Sequence, residues 1–142
     1  MSAARTLNAA DTERVGGELA ERLKPGDLVL VTGELGAGKT TLVRGAFRAL
    51  GMSGPVVSPT FTIGRRYEGR DGVRLSHLDL YRLADLGAED PGLLEDYLTP
   101  DAIAFVEWPA VALVEMPKPT VCVAMHHAGG DERDISVEWA RS

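Results

Sequence analysis

Apolar and polar positions along the chain change period several times, and each change marks an element. Val15, Leu19 and Leu23 recur at four-residue spacing and predict a helix over Ala9–Leu23, with Asn8 placed to cap it and Asp11 and Glu13 at its positive end. Lys24-Pro25-Gly26 stops it. Asp27 then leads into Leu28-Val29-Leu30-Val31, a continuous apolar run of the kind found in strands buried on both faces. After a glycine-rich turn, Leu42, Val43, Phe47 and Leu50 form one apolar stripe and predict a helix over Thr40–Leu50, with Gly51 in the stop position.

Gly54-Pro55 and Ser58-Pro59 favour extended or turned backbone, so 53–61 reads as a loop. Thr62–Tyr67 and Val73–Asp79 flank a glycine-bearing connection and predict a hairpin. Asp85–Leu98 reads as mainly helical or irregular, interrupted at Pro91-Gly92, and Ala102–Glu107 as a short buried strand. Thr120–Met125 and Asp134–Trp139 predict a terminal hairpin around Gly129-Gly130-Asp131. There is no internal repeat. The expected fold is α/β: a mixed sheet with a parallel core, antiparallel hairpins, and helices on its faces.

With 142 residues, 44% of them hydrophobic and 25% charged, the chain is expected to form one domain spanning 1–142. Such a domain typically buries roughly 70% of the surface of its unfolded chain and needs neither disulfides nor a structural metal. The single cysteine, Cys122 in Val121-Cys122-Val123, has no internal partner, suits a reducing compartment and reads as packing. No stretch approaches the roughly 20 apolar residues of a membrane span, and Met1–Ala10 lacks the layout of a signal peptide, so a cytoplasmic protein without a membrane role is expected. The formal charge of −6 argues against a broad basic face gripping nucleic acid. It leaves room for a phosphate pocket, which needs only a few local donors, mostly backbone amides.

That pocket is written in Gly33-Glu34-Leu35-Gly36-Ala37-Gly38-Lys39-Thr40-Thr41, which fits the phosphate-loop spacing of two glycines, a Lys and a Thr. Its setting fits too, since an apolar strand precedes it and a helix follows. Glycines let successive amides turn inward toward an anion, and the positive end of the new helix adds to the field. Lys39 would reach the terminal phosphates, and the Thr40 hydroxyl would help hold magnesium, which prefers oxygen ligands. The alternative is a glycine-rich turn without a ligand.

A nucleotide-hydrolysing site also needs carboxylates at neighbouring strand ends. Asp79 and Glu107 each end a predicted strand, and either suits the metal side, where ligands collect in open α/β sheets. For both, the plain alternative is a surface carboxylate just past a strand. His77, on the strand of Asp79, either orients a carboxylate or is structural, and the structural reading is preferred. Trp108 is read as a cover over nucleotide or partner, or as core packing. Ser58-Pro59-Thr60-Phe61-Thr62 is a nucleotide-sensing loop or a proline turn. Arg65, Arg66, Arg70 and Arg74 are expected mostly on a solvated face, and Arg133 either touches the nucleotide or does not, the second reading being preferred.

The ordered set of Gly33 to Thr41, Ser58 to Thr62, His77-Leu78-Asp79-Leu80-Tyr81-Arg82-Leu83 and Glu107-Trp108-Pro109 resembles the TsaE family, the small ATPase of the bacterial machinery that makes threonylcarbamoyladenosine in tRNA. The resemblance spans most of the chain, with Glu34 standing where Asp is common. It implies a phosphate-loop NTPase-like fold, ATP binding and slow hydrolysis. Gly33, Gly36, Ala37, Gly38, Lys39, Thr40 and Thr41 would bind the nucleotide. Lys39, Asp79 and Glu107 would be catalytic, and Thr40, Glu107 and Asp79 would lie on the magnesium side. It also implies the TsaB and TsaD proteins as partners, whose complex transfers the threonylcarbamoyl group to an adenosine beside the anticodon; tRNA would be met only indirectly, through that complex.

Two other classes were weighed. A small-molecule kinase uses the same loop but usually needs an acceptor-binding insertion and an arginine-bearing lid, for which 142 residues leave little room. A guanine-nucleotide switch is disfavoured, because neither an Asn-Lys-x-Asp nor an Asp-x-x-Gly sequence is present.

Overall fold

The computed structural model describes residues 2–33, 38–52, 64–79, 98–108 and 118–140. In chain order the elements are β1 (Ser2–Thr6), α1 (Ala9–Ala20), β2 (Leu28–Gly33), α2 (Lys39–Ala49), β3 (Gly64–Glu68), β4 (Arg74–Asp79), β5 (Ala102–Trp108), β6 (Val121–His127) and β7 (Arg133–Trp139). The strands form one seven-stranded sheet in the order β1-β7-β6-β2-β5-β4-β3. β6, β2, β5 and β4 run parallel, while β7, β1 and β3 close the two sides antiparallel. The expected mixed sheet with a parallel core and two hairpins is the one observed.

The uninterrupted apolar run of β2 is explained by its place at the centre, between two parallel neighbours. Alternation then divides the side chains between two faces. One face carries Val29, Val31, Phe105, Val121, Val123, Met125 and Ile135, which form a single core with Val15 and Leu19 of α1 and Leu42, Val43, Ala46 and Phe47 of α2. The opposite face buries Leu28, Leu78, Ala104 and Val106. Phe47 reaches from α2 to set its ring edge-on to Phe105, His77 and Tyr67, at centroid distances of 5.4, 6.3 and 5.7 Å.

α1 begins as the pattern predicts, with the Asn8 side chain accepting from the Asp11 amide at 2.9 Å. It ends at Ala20, three residues early, because Arg22 and Leu23 turn back to the carbonyls of Leu19 and Ala20 in tighter bonds. α2 starts one residue early, at Lys39, and its last residue is Ala49. β1 is absent from the sequence reading. Its Ser-Ala-Ala-Arg-Thr has no apolar alternation, and pairing with β7 from Ser2↔Val137 to Thr6↔Arg133 makes it a strand. Arg65, Arg66, Arg70 and Arg74 are exposed as expected, Arg74 meeting Asp101 at 2.9 Å. Cys122 lies on the face away from Val31 and Glu107, and burial, with Glu138 adding to it, raises the pKa of its thiol. The reading of that thiol as packing fits this setting.

The two helices touch backbone to backbone through glycine. A Cβ at Gly45 would strike the Glu13 carbonyl, and one at Gly16 the carbonyl of Leu42. Gly45→Ala would add about 1 kcal/mol of intrinsic helix propensity. The collision is with main chain, which cannot swing aside, and costs roughly 3 kcal/mol. We therefore expect Gly45→Ala to lower Tm by roughly 6 °C in a calorimetric scan; a rise in Tm would show that the helices have room to part.

Candidate functional site at the carboxyl ends of the parallel strands

The parallel strands bring their carboxyl ends together at one edge of the sheet, where ligands of open α/β folds bind. At the end of β2, Gly33 has φ 147°, and a Cβ there would collide with the Met125 carbonyl of β6. Only glycine lets β2 lie so close to β6 in that conformation. Gly38, in the left-handed region at φ 94° and ψ 22°, caps α2. α2 is thus the next described element after central strand β2, and the first amides of a helix are where anions bind. Gly36 and Ala37 lie outside the described residues.

Lys39, the first residue of α2, is buried, and its ammonium donates to the Gly33 carbonyl at 3.3 Å. The first residue of α2 is thereby tied to the last residue of β2. Thr40 follows, and its hydroxyl donates to Glu107 Oε2 at 3.1 Å. Glu107 is 4% exposed near the end of β5. The same oxygen lies 2.5 Å from Nε2 of His77, which is 0% exposed on β4. Asp79, the last residue of β4, stands in register with Glu107 on the same face and is half-buried. Thr41 is half-buried in the first turn of α2.

The two carboxylates read from strand ends are therefore neighbours, and one of them is bonded to the phosphate-loop threonine. His77 meets the Glu107 carboxylate directly. Arg133 has its Nε 3.8 Å from the position of a Cβ built on Gly38, and its Nη1 donates to the carbonyls of Gly130 and Glu132 at 2.8 Å. That approach to Gly38 follows from the neighbourhood of β7, β6 and β2, which no local pattern discloses. Trp108 ends β5, and its side-chain surroundings lie outside the described residues, as do 58–62, 80–83 and Pro109.

The donor set fits magnesium. A hydroxyl and a carboxylate, both hard oxygen donors, already stand at hydrogen-bond distance across the α2–β5 gap. Among the described residues no group of three or more His, Cys, Asp or Glu side chains is arranged to hold a metal. Among the described residues, no helix is long and apolar enough to cross a membrane.

Residues 6–135 match the family model described as "Threonylcarbamoyl adenosine biosynthesis protein TsaE". The tRNA threonylcarbamoyladenosine biosynthesis protein TsaE of Bacillus subtilis is 39% identical over 133 residues, covering 93% of this chain and 82% of that one. Its namesake from Streptomyces coelicolor is 41% identical over 121 residues, covering 84% and 82%. The crystal structure of YdiB from Bacillus subtilis superposes with a TM-score of 0.73 at 33% identity, over 96% of this chain and 83% of that one. With a family model spanning the end of β1 to β7 and relatives similar over most of their length, the chain belongs to the TsaE family.

Proposed function

We propose that the protein is a magnesium-dependent ATPase that serves formation of threonylcarbamoyladenosine in tRNA by acting on a complex of TsaB and TsaD proteins. The observation that carries the hydrolytic part is the bond from Thr40 to Glu107, which ties the first turn of α2 to the end of β5 beside a buried lysine. Family membership and the names of the relatives support the biosynthetic part.

In this reading Lys39 exchanges the Gly33 carbonyl for phosphate oxygens and spreads their charge, while the amides opening α2 hold the same group. Thr40 keeps its proton and donates a hydrogen bond to Glu107, which leaves the hydroxyl lone pairs free to ligate a cation. Magnesium, held by Thr40 and Glu107 with Asp79 beside them, would neutralise charge on the phosphate oxygens. The carboxylate pair of Asp79 and Glu107 orients the attacking water, and the chemistry is otherwise positioning and electrostatics. Contact with tRNA runs through the partner complex, as the acidic balance of the chain favours.

The product ratio tests the reaction class. With magnesium and ATP, the protein is expected to release ADP and inorganic phosphate one for one, unchanged by a panel of small hydroxyl- and amine-bearing metabolites. ADP formed without matching phosphate, with label passing to one of those metabolites, would make it a kinase instead.

A further inference from the structure

His77 is an expensive residue for its place. It sits with 0% exposure on the helix-covered face, in register with Phe105 and with the edge of Phe47 against its ring. An apolar side chain of similar volume would fill that space without burying polar nitrogens. Its Nδ1 is buried and has no hydrogen-bond partner among the described residues. Its Nε2 meets Glu107 Oε2 at 2.5 Å. A proton on Nδ1 would be an unpaired buried donor, while an ionised carboxylate only accepts. Both constraints select the neutral ring with its proton on Nε2, donating to Glu107.

Thr40 and His77 therefore both donate to one oxygen, Oε2, whereas Oε1 of Glu107 carries no hydrogen bond among the described residues. We propose that His77 is the positioning residue of Glu107: clamped by Phe47, it fixes the carboxylate so that Oε2 holds Thr40 and Oε1 is presented to the reaction. The neighbours bear on this. Arg65, the register partner of His77 on β3, is exposed, and Asp79 lies two residues on at the strand end, so within the described packing Glu107 is the charged group that meets the ring. This inference rests on the ATPase reading, and its test separates the two.

The experiment compares His77→Met, which keeps apolar volume, with His77→Gln, which keeps an N–H donor, each checked for a cooperative thermal transition. ATP affinity is expected within about threefold of native in both, since His77 is linked to Thr40 through Glu107. Turnover is expected to fall about 10- to 100-fold in His77→Met and to recover most of that loss in His77→Gln. Equal loss in both variants, or native turnover in His77→Met, would overturn the proposal. Nitrogen NMR of the imidazole ring in the native chain supplies a readout that needs no activity. A neutral ring protonated on Nε2, with a resonance that shifts in Glu107→Gln, supports the contact; a ring protonated on Nδ1 refutes it. Failure of the native chain to bind or turn over ATP would sink the ATPase reading, and with it the catalytic part of the proposal, while the NMR result decides the contact by itself.

Discussion

Glu107→Gln is expected to hydrolyse ATP at least about 100-fold more slowly than the native chain while binding it within about threefold. The substitution is chosen for what it preserves. Glutamine has the shape of glutamate and keeps an oxygen for the Thr40 hydroxyl and the His77 ring, so neither buried donor is stranded. Glu107→Ala would strand both, and lost stability would then be confused with lost chemistry. What glutamine removes is the negative charge next to the threonine hydroxyl, which matters most when cation and water must be held during phosphoryl transfer. A loss confined to kcat marks an interaction made in the transition state. Steady-state kinetics with nucleotide binding measured separately checks it, and native kcat would exclude Glu107 from the reaction.

Lys39→Met should behave in the opposite way, with ATP affinity falling at least about 100-fold, or about 2.7 kcal/mol. Lys39 is 5% exposed, so much of its stem is packed, and methionine retains that packing while deleting the ammonium. In the native chain the ammonium rests on the Gly33 carbonyl. Its removal also frees that carbonyl, a modest cost compared with losing the one side-chain cation the loop supplies. Calorimetric titration with ATP and magnesium measures the effect. Undiminished affinity would show that Gly33 to Thr41 is a turn and not a nucleotide site.

The parts of this molecule legible in its sequence are those fixed by local period and local chemistry. Leu28-Val29-Leu30-Val31 announced a central strand because a strand covered on both faces tolerates no polar alternation. The two ends of the glycine-rich stretch were legible because their glycines answer a backbone need, seen at Gly33 against Met125 and at Gly38 with its positive φ. The carboxylates could be placed at strand ends, but not beside each other. Their adjacency follows from the register Asp79↔Glu107, a pairing of parallel strands whose order no local pattern encodes. The same gap hid the meeting of His77 with Glu107, 30 residues apart, and the approach of Arg133 to Gly38. β1 was illegible for a different reason: its residues become a strand only because β7 offers an edge, with Arg5 bonded to Asp134 and Thr6 to Thr12.

The most direct test is phosphate release from ATP and magnesium by the native chain, alone and with TsaB and TsaD from the same source, with Glu107→Gln run in parallel. Turnover that depends on the two partners and is lost in the variant is the predicted result. Turnover indifferent to the partners, or equal in native and variant chains, would contradict the assignment of this site to a partner-regulated ATPase.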